Sequence, residues 1–276
     1  MFLGYNTNGF AHHRLPDAVE ILADLGYAGV ALTVDVHALD VFAKHHAAER
    51  EEVAELLAAR RMASVIETGA RFLLDPTRKH QPTLLDPLAV PRSRRADFLK
   101  RCVELAAALK SDAVSLWSGT PVESASAEAL MDRLVAELRP LCDFAATCSV
   151  RLAFEPEPGM FIDTMAQFRE LFDRVNHPAF GLTLDVGHLH CLGELPASQH
   201  ITEWKDRLWN VHAEDMKAGV HDHLMFGDGD MDFADVFSAL REIEYQGGVF
   251  VELSRHSHNA VETARKSMAF LAQYMR

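Results

Sequence analysis

The sequence alternates along most of its length between short apolar runs and longer amphipathic segments. Each apolar run is typical of a buried strand, and each amphipathic segment has helical spacing. The eight runs are residues 2–5, 27–36, 62–68, 113–117, 150–154, 181–184, 208–211 and 248–251. Strands that alternate with helices pair in parallel, and no change of composition marks a linker. The pattern therefore predicts an α/β protein, a single (β/α)₈ barrel over residues 1–276.

The main alternative for this pattern is an open, doubly wound sheet. That fold usually carries a glycine-rich phosphate-binding turn after its first strand. The corresponding turn here reads Asn6-Thr7-Asn8-Gly9 and lacks the G-x-G-x-x-G spacing. The barrel is therefore the better prediction.

One connection is much longer than the others. Residues 69–92 follow the third strand and contain Pro76, Pro82, Pro87 and Pro91. Loops of this length in a compact domain are usually functional. We therefore predict that the segment, here called the insert, lies over the C-terminal face of the barrel.

Composition narrows the set of partners. The formal net charge is −13, which argues against a nucleic-acid partner because such binding depends on Lys and Arg facing phosphates. The four cysteines show no C-x-x-C spacing, and neither a signal peptide nor a membrane span is evident. We expect a cytoplasmic protein with no membrane partner.

Polar side chains follow the last four predicted strands directly. Glu155, Asp185, His212 and Glu252 each close one of these strands. The active site of such a barrel lies where its strands end, so these four side chains should converge. Singly, each acid could form a salt bridge or a helix cap, but three buried acids at one point need a cation. Oxygen and nitrogen donors together suit one divalent metal ion: Mn²⁺, Mg²⁺, Co²⁺ or Zn²⁺.

The motifs at these strand ends form an ordered set. E-P-E-P-G follows the fifth strand, L-x-L-D-x-G-H the sixth, V-H-x-x-D the seventh and V-E the eighth. From about residue 150 to the C-terminus, the chain resembles the xylose-isomerase-like superfamily, which includes sugar epimerases, inosose dehydratases and endonuclease IV nucleases. The resemblance implies metal ligation by Glu155, Asp185, His212 and Glu252, and substrate contact by His188. It also implies a small carbohydrate substrate and a dimer or tetramer of identical chains.

The isomerases of this superfamily move a proton beside a carbonyl through an enediolate. The resemblance implies that Glu155 and Glu252 form the acid and base pair of a sugar isomerase or epimerase. Which glutamate removes the proton stays open. A lyase or dehydratase acting on a keto-sugar or cyclic polyol would begin with the same step and then expel a hydroxyl group, so it is the first alternative.

Two features depart from the simple epimerase pattern. Lys217 stands where epimerases usually have an arginine, and it could hold a substrate hydroxyl or phosphate. His221 and His223 could join His188 in a second metal site, as in the nuclease branch. The alternative for both is a solvated loop whose histidines bond its own backbone.

A metal-dependent phosphodiester hydrolase is the second alternative. The nucleases also need histidines at the ends of strands three and four, where this chain has Glu67 and Trp117. Glu67 and Arg71 are instead candidates to reach the substrate from the insert, as are Lys79 and His80, although surface charge is the simpler reading for Lys79. Trp117 is either an apolar wall for a sugar or part of the core.

Overall fold

The computed structural model describes residues 1–275. Its strands are β1 (Phe2–Asn6), β2 (Gly29–Thr33), β3 (Ala63–Glu67), β4 (Val114–Leu116), β5 (Leu152–Phe154), β6 (Phe180–Asp185), β7 (Leu208–Ala213), β8 (Asp215–Lys217), β9 (Val220–Leu224) and β10 (Gly248–Val251). Its helices are α1 (Leu15–Asp24), α2 (His46–Arg60), α3 (Ala89–Leu109), α4 (Ala127–Thr147), α5 (Met165–Val175), α6 (Val186–Leu192), α7 (Ala197–Glu203), α8 (Phe233–Glu242) and α9 (Ala260–Leu271). Two 3₁₀ helices cover Thr7–Phe10 and Ser254–Asn259.

Eight strands form a closed barrel. Strands β1 to β7 lie side by side in chain order, and β10 fills the space between β7 and β1. All of these pairs are parallel, and Val251 of β10 lies opposite Tyr5 of β1 at the closure. The predicted (β/α)₈ barrel is confirmed, and each of the eight apolar runs overlaps one of its strands.

The inside of the barrel is filled by a small apolar cluster. Its buried members are Ala31, Val65, Ala113, Ala153 and Phe250. The Phe250 ring lies where a side chain on Gly4 would be, so that strand position tolerates no Cβ without rearrangement. A second, larger core lies between the strands and the helices.

Two elements at the C-terminal face were not predicted. Helix α6 begins directly after β6, and its first turn is capped by Asp185, whose Oδ1 accepts the backbone N–H of His188 at 3.0 Å. Strands β8 and β9 form an antiparallel hairpin, with Lys217 opposite Val220. His221 and His223 therefore lie on a strand and not in the loop considered as their alternative.

The insert is irregular up to residue 88, and its last four residues, predicted to be irregular, instead form the start of α3. Its own side chains Leu74, Leu84 and Leu85 are buried. Arg133 of α4 donates from Nη1 to the Leu85 carbonyl at 2.6 Å. The insert is thus anchored by apolar contacts and by hydrogen bonds to its backbone.

Within residues 1–275, no helix has both the length and the apolar character that a membrane crossing requires.

Candidate active site

A cavity of about 230 Å³ opens at the C-terminal ends of the strands; we call it the mouth cavity. Its deeper part, here called the floor, is lined by Glu67, Glu155, Glu157, His212 and Glu252. The volume is below the ~300–1,000 Å³ typical of pockets for drug-sized ligands, so the cavity suits a small molecule.

The four predicted metal ligands converge beside this floor. Each of Glu155, Asp185, His212 and Glu252 offers one donor atom, and these atoms lie within 4.8 Å of one another. The backbone N–H groups of Glu155 and Glu252 still bond the neighbouring strands, at 2.8 Å to Leu116 and 3.0 Å to Ala213. The hydrogen bonds of the barrel therefore extend to two of the predicted metal ligands.

His212 uses its two ring nitrogens in opposite directions. Nδ1 lies 3.0 Å from Glu155 Oε1 and 2.9 Å from Glu252 Oε2. Nε2 lies 2.9 Å from Oε1 of Glu67. A hydrogen on Nε2 that is donated to Glu67 leaves the Nδ1 lone pair facing the two glutamates, which is the arrangement a metal-binding histidine needs.

Glu67 is the last residue of β3 and is not part of the insert. Its Oε1 also accepts a hydrogen bond from Asn210 Nδ2 at 3.0 Å. Although Glu67 lines the mouth cavity, its Oε1 is thus engaged by His212 and Asn210. Glu67 therefore faces the cavity from the end of β3 and not from the insert, because the chain leaves the barrel only after this residue. The substrate contact expected of it stays a prediction.

Three buried oxygens beside the floor lack a hydrogen-bond partner among the described residues. They are Asp185 Oδ2 and both carboxyl oxygens of Glu214. Glu252 is better satisfied, since its Oε1 accepts from Asn8 Nδ2 at 2.8 Å. Unpartnered buried carboxyl oxygens are costly, so the donor set fits a cation.

The pKa values of the carboxyl groups also indicate that the site has more carboxylates than its cations can neutralise. Burial raises the pKa of Glu155 to about 8, and it raises the pKa of Glu157 and of Glu214 well above the ordinary carboxyl range. Burial also opposes the charge of Glu252, but interactions with His212 outweigh it and lower the pKa of Glu252. One histidine cannot neutralise this many carboxylates, whereas a divalent cation would favour their charged forms.

A second group of ligand atoms lies beside the first. His188 of α6 and His223 of β9 each donate from Nδ1 to a backbone carbonyl, Pro156 at 3.2 Å and Glu252 at 3.1 Å. Nε2 of His223 lies 3.3 Å from Nε2 of His221, and the rings of His188 and His221 are 4.9 Å apart. Ligand atoms of the three histidines lie within 4.8 Å of one another.

The remaining candidates are divided between the cavity and the solvent. Arg71, Lys79, His80 and Trp117 line the mouth cavity. Lys217 does not line it. It is exposed at the end of β8, while the two residues before it are buried. The substrate contact expected of Lys217 is therefore not supported.

Four residues near the floor are not among the site residues predicted from the sequence. Asn8, Glu157, Asn210 and Glu214 contact the site or line it. Glu157 and Glu214 lie inside the E-P-E-P-G and V-H-x-x-D motifs, so their position at strand ends was a usable signal. Asn210 lies within an apolar strand, and nothing local distinguishes it.

Comparison with known proteins assigns the chain to a family. The family model described as xylose isomerase-like TIM barrel matches residues 19–274. The chain belongs to this family. This confirms the resemblance that the strand-end motifs indicate.

Individual relatives are more distant. The chain is 26% identical over 159 residues to an inosose dehydratase of Lacticaseibacillus casei, covering 51% of this chain and 53% of that protein. The match thus spans about half the length of that curated relative.

Solved structures match over the whole fold. A D-allulose 3-epimerase from Methylomonas sp. has a TM-score of 0.80 at 18% identity, over 99% of this chain and 98% of that one. The IolI protein, in a structure with a bound zinc atom, has a TM-score of 0.78 at 20% identity, over 99% of both chains. At these identities the likeness shows the fold.

Proposed function

We propose that the chain is a divalent-metal-dependent isomerase or epimerase of a small sugar or keto-sugar, and that it works by proton transfer through an enediolate. The observation that carries this proposal is the convergence of Glu155, Asp185, His212 and Glu252 within 4.8 Å at the floor. The likeness to a D-allulose 3-epimerase and to an inosose dehydratase supports it.

The metal would be held by Glu155, Asp185, Glu252 and Nδ1 of His212. When bound, it would stabilise the negative charge that develops on the substrate oxygens as the proton leaves. The donors suit Mn²⁺, Mg²⁺, Co²⁺ or Zn²⁺. The zinc bound to IolI favours zinc, and manganese remains a candidate because carboxylates dominate the set.

Glu155 and Glu252 would transfer the proton. Both carboxylates reach His212 Nδ1, so they lie on the same small part of the floor. Asn8 donates to Oε1 of Glu252, and Oε2 of Glu252 lies beside His212 Nδ1. One glutamate would remove the proton beside the carbonyl, and the other would return a proton to complete the isomerisation.

The other cavity residues would position the substrate. Trp117 offers an apolar face and Arg71 lies on the insert, and both line the mouth cavity. His188 is buried on α6 beside the floor and does not line the cavity, so the substrate contact expected of it stays a prediction. Glu67 would act through His212 by keeping the hydrogen on Nε2. The insert would exclude water from the cavity, since four of its residues, Gly69, Arg71, Lys79 and His80, line it.

Exchange of substrate protons with solvent tests the proposal. A panel of ketoses and keto-sugars is incubated with protein in D₂O, and deuterium at the carbon beside the carbonyl is followed by NMR. We expect exchange with at least one sugar, its loss with a chelator and its return on adding a divalent metal. Exchange that survives complete metal removal would overturn the proposal.

A dehydratase is the second candidate, favoured by the inosose dehydratase relative. It would use the same proton removal, followed by loss of the hydroxyl group on the next carbon. Product analysis distinguishes the two: an isomerase keeps the mass of its substrate, and a dehydratase lowers it by one water.

We further propose that His188, His221 and His223 hold a second metal ion, because their ligand atoms already lie together. Metal analysis of the loaded protein should then give two ions per chain, falling to one in His221→Ala. One ion per chain in the unmodified protein would contradict this.

A phosphodiester hydrolase would need this ion, but Glu67 and Trp117 replace the further histidines that the resemblance requires. We also propose that the protein is located in the cytoplasm and that it forms a dimer or tetramer of identical chains.

A further inference from the structure

The mouth cavity is acidic at one end and basic at the other. Four carboxylates or carboxylic acids line the buried and half-buried floor. Four basic residues line the more exposed edge: Arg71, Lys79, His80 and Arg255. We call these four the basic rim. Such a cluster is unexpected in a chain with 27 Lys and Arg against 40 Asp and Glu.

The protein neutralises two of these cations least. Among residues 1–275, Lys79 forms no ion pair, and the one ion pair of Arg71 is a long one with Asp35, at 3.8 Å between Nε and Oδ2. The neighbouring Arg78, by contrast, contacts Asp75 at 2.7 Å between Nε and Oδ2. Arg255 is likewise paired with Asp222. The unpaired Lys79 and the loosely paired Arg71 therefore both lie on the insert.

His80 lies among three cationic side chains. Its pKa is lowered to about 4, first by burial and then by the charges of Lys79, Arg95 and Arg71. Arg95 adds a buried charge behind the cavity wall: its guanidinium lies 4.5 Å from the centre of the Trp117 ring, and its Nη1 has no partner among the described residues. No carboxylate compensates this group within the described part of the chain.

The insert fixes the backbone that carries these cations. The backbone N–H of His80 donates to the Arg71 carbonyl at 2.6 Å, which joins the two arms of the insert. The His80 ring also packs against Trp117, with centres 5.0 Å apart. Arg71 and Lys79 are therefore presented from one joined piece of backbone, so that the backbone loses little freedom on binding.

We propose that Arg71 and Lys79 bind an anionic substituent of the substrate, a phosphate or a carboxylate, at the end of the sugar away from the reacting carbonyl. The sugar part of this inference rests on the proposed function, and the anion part does not. The floor carboxylates repel an anion, so it must lie at the basic rim. Arginine and lysine there provide charge-assisted hydrogen bonds to its oxygens. The substrate class is then a sugar phosphate or a sugar acid.

Direct anion binding tests this without sugar chemistry. Inorganic phosphate and acetate are titrated into the metal-loaded protein by calorimetry. We expect Lys79→Ala and Arg71→Ala each to weaken binding of the preferred anion by about tenfold, the usual effect of losing one charged hydrogen bond. Lys205→Ala removes the same charge near the start of β7, at the opposite end of the barrel, and should leave the affinity unchanged. No measurable binding, or equal binding in all variants, would overturn the inference.

Matched sugars identify the anion. Solvent exchange is compared for a ketose, the same ketose with a terminal phosphate and the same ketose with a terminal carboxylate. We expect a lower KM for one anionic sugar and about a tenfold loss of that preference in Lys79→Ala, with kcat less affected. Preference for the neutral sugar would overturn the inference and leave the isomerase proposal standing. If no sugar exchanges, the isomerase proposal fails, and the anion titration still decides this one.

Discussion

The floor and the basic rim of the mouth cavity are built in opposite ways. The floor collects acids that are far apart in the sequence, and strand pairing forces them together. The rim cations Arg71 and Lys79 lie on one irregular segment, close in sequence and partly exposed. Because the barrel leaves the floor carboxylates too few partners, the floor fits a cation, whereas the rim fits an anion.

Removing a floor ligand should have the largest effect on metal binding. In Asp185→Asn, the remaining Oδ1 can still cap α6, so the fold should persist. We expect metal affinity to fall by more than ~100-fold, beyond the 10–100-fold typical of residues that support a ligand from behind. Competition with a coloured chelator measures the affinity.

Asp232→Asn is the matched control, because Asp232 caps α8 in the same way and does not line the mouth cavity. It should leave metal affinity unchanged. An equal effect of the two variants would show that the floor is no different from an ordinary helix cap.

Glu67→Gln should have the next largest effect. The change keeps the size of the side chain but removes the charge that holds the hydrogen on His212 Nε2. We expect metal affinity to fall about tenfold, with the metal count per chain unchanged. Glu262→Gln, on the surface of α9, serves as the control. An affinity equal to that of the unmodified protein would place Glu67 outside the metal site.

The change of stability with pH should be a smaller effect, and it should come from a carboxyl group of the floor. Burial raises the pKa of Glu155 from near 4.5 to about 8, so the folded protein binds this proton more tightly than the unfolded chain. The metal-free protein should therefore lose stability as the pH rises from about 4.5 to about 8, by an amount on the order of a few kcal/mol.

Thermal unfolding in chelator at several pH values measures this trend. Glu155→Gln should flatten it, and added metal should raise the melting temperature most at high pH, because the ligands bind metal in their charged form. If the melting temperatures of Glu155→Gln and of the unmodified protein change with pH in parallel, burial of Glu155 is not the cause of the trend.

The barrel and the four floor ligands were accessible from sequence because their signals are local. Each strand is an apolar run, and Glu155, Asp185, His212 and Glu252 each stand directly at its end. The contact between His212 and Glu67 joins residues 145 apart, and no local pattern reports it. The β8–β9 hairpin was missed because β8 is only three residues long and β9 has three polar residues in a row, His221 to His223, so neither strand is an apolar run. Lys217 was misplaced for the same reason.

The proposed isomerisation depends most directly on proton transfer by Glu252. The decisive measurement is deuterium exchange beside the sugar carbonyl by metal-loaded Glu252→Gln, with the metal content determined in the same sample. Glutamine keeps an oxygen for the metal but cannot accept the proton. We predict that the variant retains metal and exchanges about a thousandfold more slowly than the unmodified protein, within the range of general acid and base catalysis. Exchange at the unmodified rate by the metal-loaded variant would contradict the account.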